Sequence, residues 1–315
     1  MEARRQGAAL ISRNIADYLE TFFASKPKNY KPLIYCWRGG QRSRSLAIIL
    51  HEIGFQPTLL SGGYKAYRKM VRENLFDENS ELSKLKLIRI SGSTGCGKSL
   101  LLEILKEKGE QIIDLEYLAK HKGSVLGQFP CEDQPSQRMF ESFLYNQIKT
   151  ELNPEKVVWI ENESSKIGKV IIPNLLLAKM RLSPRIQINA CLEDRVKFIL
   201  QDYSYLCSES NKETLLKNLS DLERHAGKRK SSYWCDLVKN YHYEELVQDL
   251  IVNYYDLNYK KPKELPIDHF ELPNGILLNR DDLFNASIID KLISFGNEQL
   301  LSEREGPVNF EHIVG

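Results

Sequence analysis

Residues 87–99, Leu-Ile-Arg-Ile-Ser-Gly-Ser-Thr-Gly-Cys-Gly-Lys-Ser, decide the fold of the larger part of the chain. Residues 87–90 predict a short strand, residues 92–99 satisfy the pattern G-x-x-x-x-G-K-[ST], and residues 100–108 predict a helix. The glycines let the backbone curl so that successive N–H groups point at phosphate oxygens, and the positive end of the following helix adds to the attraction. Strand, loop and helix in this order predict a phosphate-binding loop.

Every residue of this loop is a candidate for binding a phosphate-bearing ligand: Gly92, Ser93, Thr94, Gly95, Cys96, Gly97, Lys98 and Ser99. Lys98 would neutralise terminal phosphate charge and the Ser99 hydroxyl would reach a metal ion or an oxygen, so magnesium is a candidate cofactor. Cys96 is either a reactive thiolate beside a helix N-terminus or a small side chain that fills the loop, and the second interpretation is favoured. The pattern does not identify the ligand, because the same loop serves nucleotides and other diphosphate compounds.

Further strands are predicted at residues 111–113, 157–160 and 186–191. Alternating strands and helices predict the α/β class, with a doubly wound parallel sheet covered on both faces, as in P-loop NTPases. Beyond about residue 195 the pattern becomes mainly helical. We expect a P-loop domain over residues 85–260.

A chain of 315 residues favours two domains. Residues 76–84 are polar, contain few residues able to anchor a core, and separate two strand-loop-helix patterns, so we place the domain boundary there. Residues 1–75 then form an amino-terminal domain. Residues 261–315 carry no usable motif and are assigned as a carboxy-terminal extension of unknown role.

Acidic residues follow two of the predicted strands. Asp114 and Glu116 come after the strand at 111–113, while Glu161 and Glu163 come after the strand at 157–160. Open α/β sheets gather their ligand groups at these strand ends, so the four are candidate active-site acids that coordinate a metal or act as bases. Solvated carboxylates at strand ends are an equally good interpretation.

Residues 36–43, Cys-Trp-Arg-Gly-Gly-Gln-Arg-Ser, place a cysteine directly after a predicted strand and just before a predicted helix. Backbone N–H groups, the helix N-terminus and the guanidinium groups of Arg38 and Arg42 would favour a thiolate. Cys36 is therefore a candidate nucleophile, with Arg38 and Arg42 as its catalytic neighbours. An inert core cysteine is the alternative interpretation.

Composition excludes some classes of protein. Hydrophobic residues make up 42% and charged residues 27%, which is ordinary for a folded globular chain. No apolar run reaches the length of a membrane span or resembles a signal peptide, so we expect a cytoplasmic protein without a membrane partner. The six cysteines form no C-x-x-C pair, which argues against a disulfide framework or a zinc site. The net charge of +2 does not indicate a partner.

These motifs resemble the tRNA 2-selenouridine synthase family. The cysteine part, residues 35–43, 53–55 and 62–68, resembles the rhodanese part of that family. The second part matches the order of the family's motifs at residues 92–99, 114–119, 121–127, 134–141, 159–168, 202–203 and 254–256. Family members carry further residues before the segment that corresponds to residues 2–5. We therefore expect residues 1–75 to be a truncated rhodanese-like domain.

The resemblance implies a transferase that exchanges sulfur for selenium on 2-thiouridine at the tRNA wobble position. Geranyl diphosphate would first geranylate the sulfur, and selenophosphate would then supply the selenium. The resemblance further implies that Cys36 carries selenium and that the phosphate loop holds the phosphate group that leaves. Its partners would be tRNA with 2-thiouridine at the wobble position and a selenophosphate-producing enzyme.

A tRNA substrate requires contacts to phosphates and to an extruded base. The best basic and aromatic cluster spans residues 224–230 and is followed by two aromatic residues. Its candidate tRNA-binding residues are Arg224, Lys228, Arg229 and Lys230. A solvated helix face explains the same charges equally well.

Two other functions fit the motifs. A persulfide sulfurtransferase fused to a small-molecule kinase would turn over ATP without tRNA. A non-enzymatic nucleotide-binding module with a vestigial cysteine loop would leave Cys36 with an ordinary thiol pKa of about 8.5.

Overall fold

The computed structural model describes residues 1–129, 132–259 and 285–302. The chain divides into two compact units, Met1–Asn74 and Leu75–Gly315. Of the carboxy-terminal extension assigned to residues 261–315, only one helix falls within the described residues. No described helix is both long and apolar enough to cross a membrane.

The first unit contains two short strands and three helices. Its elements are α1 (Glu2–Glu20), β1 (Leu33–Ile34), α2 (Gln41–Glu52), β2 (Thr58–Leu59) and α3 (Gly63–Phe76). The two strands pair in parallel, with Leu33 opposite Thr58. A small apolar cluster forms its core and contains Phe23, Ile34, Ala47 and Leu50. Both strands are short, and only two residue pairs meet in register.

The second unit is built on a four-stranded sheet. Its strands are β3 (Lys86–Gly92), β4 (Gln111–Ile113), β5 (Val157–Glu161) and β8 (Arg185–Ile188), with a separate antiparallel hairpin of β6 (Lys166–Ile167) and β7 (Val170–Ile171). The order in the sheet is β4-β5-β3-β8, and all neighbours are parallel. The predicted parallel α/β sheet is thus confirmed. The last strand ends at Ile188, because Cys191 already caps the next helix.

Twelve helices of the second unit lie within the described residues. They are α4 (Glu81–Lys84), α5 (Lys98–Glu107), α6 (Leu115–Ala119), α7 (Gln137–Thr150), α8 (Asn174–Leu182), α9 (Leu192–Asp202), α10 (Lys212–Asp221), α11 (Glu223–Ala226), α12 (Lys228–Lys239), α13 (Tyr243–Leu250), α14 (Asp256–Tyr259) and α15 (Ala286–Ser302). A π-helix, Ile251–Tyr255, joins α13 to α14. The mainly helical region expected beyond residue 195 is present.

Residues 76–84, predicted to contain few residues able to anchor a core, contain one buried apolar residue. Ser80 caps α4 by accepting a hydrogen bond from the backbone N–H of Ser83, and Leu82 is fully buried. The helix α4 packs against α7 and α8, which buries that leucine although its neighbours in sequence are polar. A single apolar side chain at the right turn is enough to fix such a segment.

One face of the sheet packs against α5 and α15. Trp159 of β5 is fully buried, and its indole Nε1 donates a hydrogen bond to Glu110 Oε2 at 3.2 Å. A Cβ at Gly296 of α15 would lie 2.9 Å from the Trp159 ring, so glycine permits the close approach of this helix. Leu292 and Phe295 of α15 join the same core. One helix of the predicted extension therefore contributes to the core that supports the phosphate loop.

Candidate functional site

The phosphate loop connects β3 to α5, as the sequence predicts. Gly95 and Gly97 have φ angles of +81° and +93°, a left-handed conformation that glycine adopts without strain. A Cβ at Gly92 would collide with Cys96 Sγ and approach the Ile188 carbonyl oxygen to 2.7 Å. These glycines therefore allow the loop to curl tightly against the end of β8.

Lys98 and Ser99 begin α5. The Lys98 ammonium donates a hydrogen bond to the Gly92 carbonyl at 3.0 Å, which holds the side chain across the loop. The Ser99 hydroxyl donates to Glu116 Oε2 at 3.5 Å. Both side chains thus lie at the loop, where a bound phosphate would lie against the start of α5.

Three of the predicted acids meet beside Ser99. Oxygen atoms of Glu116, Glu161 and Glu163 lie within 4.8 Å of one another. The Glu116 backbone N–H donates to Glu161 Oε1 at 3.0 Å, while Glu161 Oε2 is buried and has no hydrogen-bond partner among the described residues. Asp114 lies beside these acids, since its charge raises the pKa of each of them, and its carboxylate also accepts from the Tyr117 backbone N–H at 2.8 Å and caps α6.

Burial and the neighbouring carboxylate charges favour the protonated form of the acids in this cluster. Burial, followed by the charge of Glu163, raises the pKa of Glu116 to about 8, against the opposing effect of Lys98. Burial also raises the pKa of Glu161 and of Glu163, and the neighbouring carboxylates add to the effect on Glu161. A cation bound among these oxygens would remove the need for those protons.

Gly123 covers the acid cluster. Its φ angle is +60°, and a Cβ there would lie 2.6 Å from Glu116 Oε1 and 3.0 Å from both Glu163 oxygens. The neighbouring Lys122 donates to the Asp202 carbonyl at 2.7 Å, and Tyr203 OH lies 3.1 Å from Ser124 Oγ. The loop at residues 121–127 is therefore fastened to the end of α9 on one side and to the acids on the other.

An apolar cavity adjoins the phosphate loop. Its volume is about 570 Å³ when the part open to solvent is included, and Thr94 of the phosphate loop is part of its wall. The rest of the wall is almost entirely apolar and comes from α9, α10, α13, the π-helix and the neighbouring loops, with Ile199, Leu246 and Ile251 among its residues. A ligand with a phosphate group and an apolar tail would match this pair of features.

The cysteine loop of the first unit surrounds Cys36 with donors. The Gly40 backbone N–H lies 3.2 Å from Cys36 Sγ and the Ser43 hydroxyl lies 3.3 Å from it. The backbone N–H of Tyr64 donates to the Cys36 carbonyl at 2.9 Å. A Cβ at Gly63 would collide with that carbonyl, so the glycine turn is needed for this packing.

The same donors make Cys36 acidic. The Ser43 hydroxyl is the largest cause, and with backbone hydrogen bonds it lowers the pKa of Cys36 from 9.0 to about 6, although burial acts in the opposite direction. A thiol with this pKa is mostly thiolate at neutral pH. Arg38 and Arg42 lie exposed at the same loop. This pKa disfavours the interpretation of Cys36 as vestigial.

Comparison with known proteins assigns the chain to a family. Residues 85–265, more than half of the chain, match the model of the tRNA 2-selenouridine synthase AAA domain. The chain belongs to this family. The amino-terminal unit lies outside the matched range.

Curated relatives of the family carry the name tRNA 2-selenouridine synthase. The protein from Psychromonas ingrahamii is 34% identical over 203 residues, which cover 64% of this chain and 53% of the relative. Relatives from Alcanivorax borkumensis and Sulfurovum sp. are 37% and 31% identical and cover 58% and 67% of this chain, and 48% and 57% of their own lengths. The chain thus spans about half the length of the curated relatives it matches. No solved structure matches it.

The basic cluster of this tRNA 2-selenouridine synthase family member lies on α11 and α12. Arg224, Lys228 and Arg229 are exposed. Lys230 is half-buried, and its ammonium donates to the Asn253 carbonyl at 3.1 Å, which ties α12 to the π-helix. The first three side chains are therefore available for a phosphate backbone, while Lys230 supports the helical layer.

Two features of the site were not predicted from the sequence. Ser43 is the closest side-chain partner of Cys36, and the signal for it was its place one residue after Arg42 in the first turn of α2. The apolar cavity had no local signal, because its wall comes from residues as far apart as Thr94 and Tyr255.

Proposed function

We propose that this protein is a transferase that replaces sulfur by selenium in 2-thiouridine at the tRNA wobble position, through a geranylated intermediate and with selenophosphate as the selenium donor. The observation that carries the proposal is the apolar cavity whose wall includes Thr94 of the phosphate loop. A nucleotide does not require an apolar cavity of this kind, whereas geranyl diphosphate has a diphosphate for the loop and a branched hydrocarbon chain for the cavity.

The alkylation step has a clear assignment of residues. The phosphate loop, with Lys98, binds the diphosphate and stabilises it as it leaves carbon 1 of the geranyl group. The thiocarbonyl sulfur of the uridine forms the new bond to that carbon. The apolar wall, with residues such as Leu246 and Ile251, keeps water away from the geranyl chain.

The acid cluster fits a magnesium ion. Its donor set consists of hard oxygens from Ser99, Glu116, Glu161 and Glu163, and no residue in the described part of the chain donates a hydrogen bond to the buried Glu161 Oε2. Magnesium bound there would supply positive charge to the diphosphate. The four side chains would hold the ion next to the phosphate loop.

The cysteine loop is assigned to the selenium step. Its backbone donors, the start of α2 and the side chains of Arg38 and Arg42 favour a selenophosphate anion. Cys36, with its lowered pKa, is the proposed nucleophile of this step: its thiolate attacks the phosphorus of selenophosphate and releases selenide, which adds to carbon 2 of the geranylated uridine and displaces geranylthiolate. The unit around it would be a rhodanese-like domain. A selenophosphate-producing enzyme would be its partner, and the cytoplasm, where tRNA is modified, its location.

The test is a reconstitution with the full chain. The protein is incubated with tRNA that carries 2-thiouridine at the wobble position, geranyl diphosphate, selenophosphate and magnesium, and the nucleosides are identified by mass spectrometry. The expected products are geranylated thiouridine and 2-selenouridine. ATP hydrolysis without tRNA, together with unchanged thiouridine, would instead favour a sulfurtransferase fused to a kinase.

A further inference from the structure

Arg195 of α9 connects the phosphate loop to the helical layer. It is buried, and its Nε donates a hydrogen bond to the Thr94 carbonyl at 2.8 Å. Its two terminal nitrogens donate to the two carboxylate oxygens of Asp256 at 3.0 and 2.7 Å. One guanidinium therefore binds the backbone of the phosphate loop and a carboxylate of α14 at the same time, which its fixed fork of donors makes feasible.

The helix α9 also touches the phosphate loop directly. A Cβ at Gly95 would lie 2.8 Å from Ile199 Cδ1 and 3.0 Å from the Arg195 carbonyl oxygen. The loop therefore rests on α9 through a contact that only glycine permits. A shift of α9 would move the backbone around Gly95 and Thr94.

Asp256 links Arg195 and the phosphate loop to the wall of the apolar cavity. It is the first residue of α14 and directly follows the π-helix. Ile251 and Tyr255 of that π-helix line the cavity, and so does Thr94 of the phosphate loop. The Arg195–Asp256 ion pair thus joins two walls of one cavity.

We propose that Arg195 and Asp256 are a positioning pair that fixes the phosphate loop in the shape that binds a diphosphate. Neither side chain has to touch the ligand, since Arg195 acts through the Thr94 carbonyl and Asp256 acts through Arg195. The inference rests on the phosphate-binding role proposed above. It predicts that weakening the pair lowers phosphate affinity even when the protein stays folded.

The test compares three variants of the full chain. Asp256→Asn removes the charge that holds Arg195, and Arg195→Lys keeps a cation that can reach only one of the two partners. Asp249→Asn is the matched control, because Asp249 accepts hydrogen bonds from Trp234 Nε1 and Asn253 Nδ2 at 2.7 Å in the same helical layer and touches neither Arg195 nor the loop. Calorimetry measures the dissociation constant for inorganic pyrophosphate, and thermal unfolding measures stability.

We expect Asp256→Asn and Arg195→Lys each to weaken pyrophosphate binding by about tenfold. The double variant should bind pyrophosphate as well as the single variant with the lower affinity, because the two residues act as one unit. Asp249→Asn should stay within about twofold of the parent, whatever its loss of stability.

Equal affinities in parent and pair variants would overturn the inference, as would an equal loss in the Asp249→Asn control. Absence of pyrophosphate binding by the parent chain would refute the phosphate-loop proposal itself and this inference with it. Should Asp256→Asn fail to fold, the comparison of Arg195→Lys with Asp249→Asn decides the question alone.

Discussion

The cysteine loop and the phosphate loop have the same local plan but opposite thiol chemistry. Each follows a parallel strand, contains at least one glycine with a positive φ angle, holds one cysteine and leads into a helix. Cys36 accepts hydrogen bonds from Gly40 and Ser43, and its pKa falls to about 6. Cys96 is buried, and burial raises its pKa despite the nearby Lys98.

The comparison shows which local contacts distinguish a strand-loop-helix that activates a cysteine from one that can bind a ligand. A helix N-terminus favours anions in both loops. In the cysteine loop the thiol sulfur itself accepts the hydrogen bonds, because the Ser43 hydroxyl donates to it. In the other loop the thiol packs against Gly92, which leaves the loop backbone for an external anion. The first arrangement suits covalent transfer, and the second suits binding.

Replacing the proposed nucleophile, Cys36, gives the largest expected effect. Cys36→Ser should lower the rate of 2-selenouridine formation by on the order of 100-fold or more, because a serine hydroxyl stays protonated near pH 7 and is a poor nucleophile without a base. Geranylated thiouridine should accumulate, since the phosphate loop is intact. Mass spectrometry of the nucleosides measures both products.

Cys191→Ser is the control for this experiment, because Cys191 is exposed and lies outside both loops. Formation of 2-selenouridine at the parent rate by Cys36→Ser would remove Cys36 from the mechanism. A complete lack of geranylated product would show that the two steps are coupled.

Removing the cation of the phosphate loop gives the next largest effect. Lys98→Ala should weaken binding of geranyl diphosphate and of pyrophosphate by about 10- to 100-fold, the loss typical of a charge-assisted hydrogen bond. The protein should remain folded, since the lysine does not belong to the apolar core. Calorimetry measures the affinities, with Lys108→Ala, a surface lysine paired with Asp290, as the control. Unchanged affinity in Lys98→Ala would contradict the phosphate-loop assignment.

The sequence predicted the two loops well because their signals are local. Spacing of glycine, lysine and serine in residues 92–99 defines the phosphate loop, and the structure has this loop between a strand and a helix. Strand ends also predicted where acids could gather, and Glu116, Glu161 and Glu163 do meet. Asp114 lies beside them, and its carboxylate also caps α6.

Features that depend on distant contacts escaped sequence analysis. Leu82 is buried by α7 and α8, which a polar local composition does not indicate. The apolar cavity draws on α9 and α13, and the Arg195–Asp256 pair joins positions 61 residues apart. Hydrophobic periodicity describes one helix at a time, so it cannot show which faces of two helices enclose a space.

Removing the hydroxyl that distinguishes the two loops tests the comparison directly. Ser43→Ala should raise the pKa of Cys36 from about 6 toward 9.0, because the largest cause of the lowered value is gone. The thiolate fraction at pH 7 then falls, and alkylation by iodoacetamide should slow by about tenfold. The pH profile of the alkylation rate measures the pKa.

Ser45→Ala is the matched control, since the Ser45 hydroxyl bonds to the Gln41 carbonyl on the same helix at 2.8 Å. If Ser43→Ala and the parent have the same pH profile, the hydroxyl does not activate the thiol. The difference in pKa between Cys36 and Cys96 would then come from the backbone donors and burial.

The basic cluster gives the smallest expected effect, and it tests whether the second unit holds tRNA as well as the diphosphate. Replacing Arg224, Lys228 and Arg229 with alanine should weaken tRNA binding severalfold, because each contact releases counterions from the phosphate backbone. The slope of log affinity against log salt should fall by about one unit for each lost contact.

Lys230 is left in place in this variant because it holds the Asn253 carbonyl, so its loss would alter packing as well as charge. The control removes the same number of positive charges from exposed positions elsewhere in the unit: Lys149, Lys166 and Lys169. Filter binding over a range of salt concentrations measures both slopes. Equal slopes in the cluster variant and the parent would reject this face as a tRNA contact, and an equal fall in both triple variants would assign the effect to net charge. A fall in the cluster variant alone would place the tRNA backbone along α11 and α12, next to the π-helix that lines the apolar cavity.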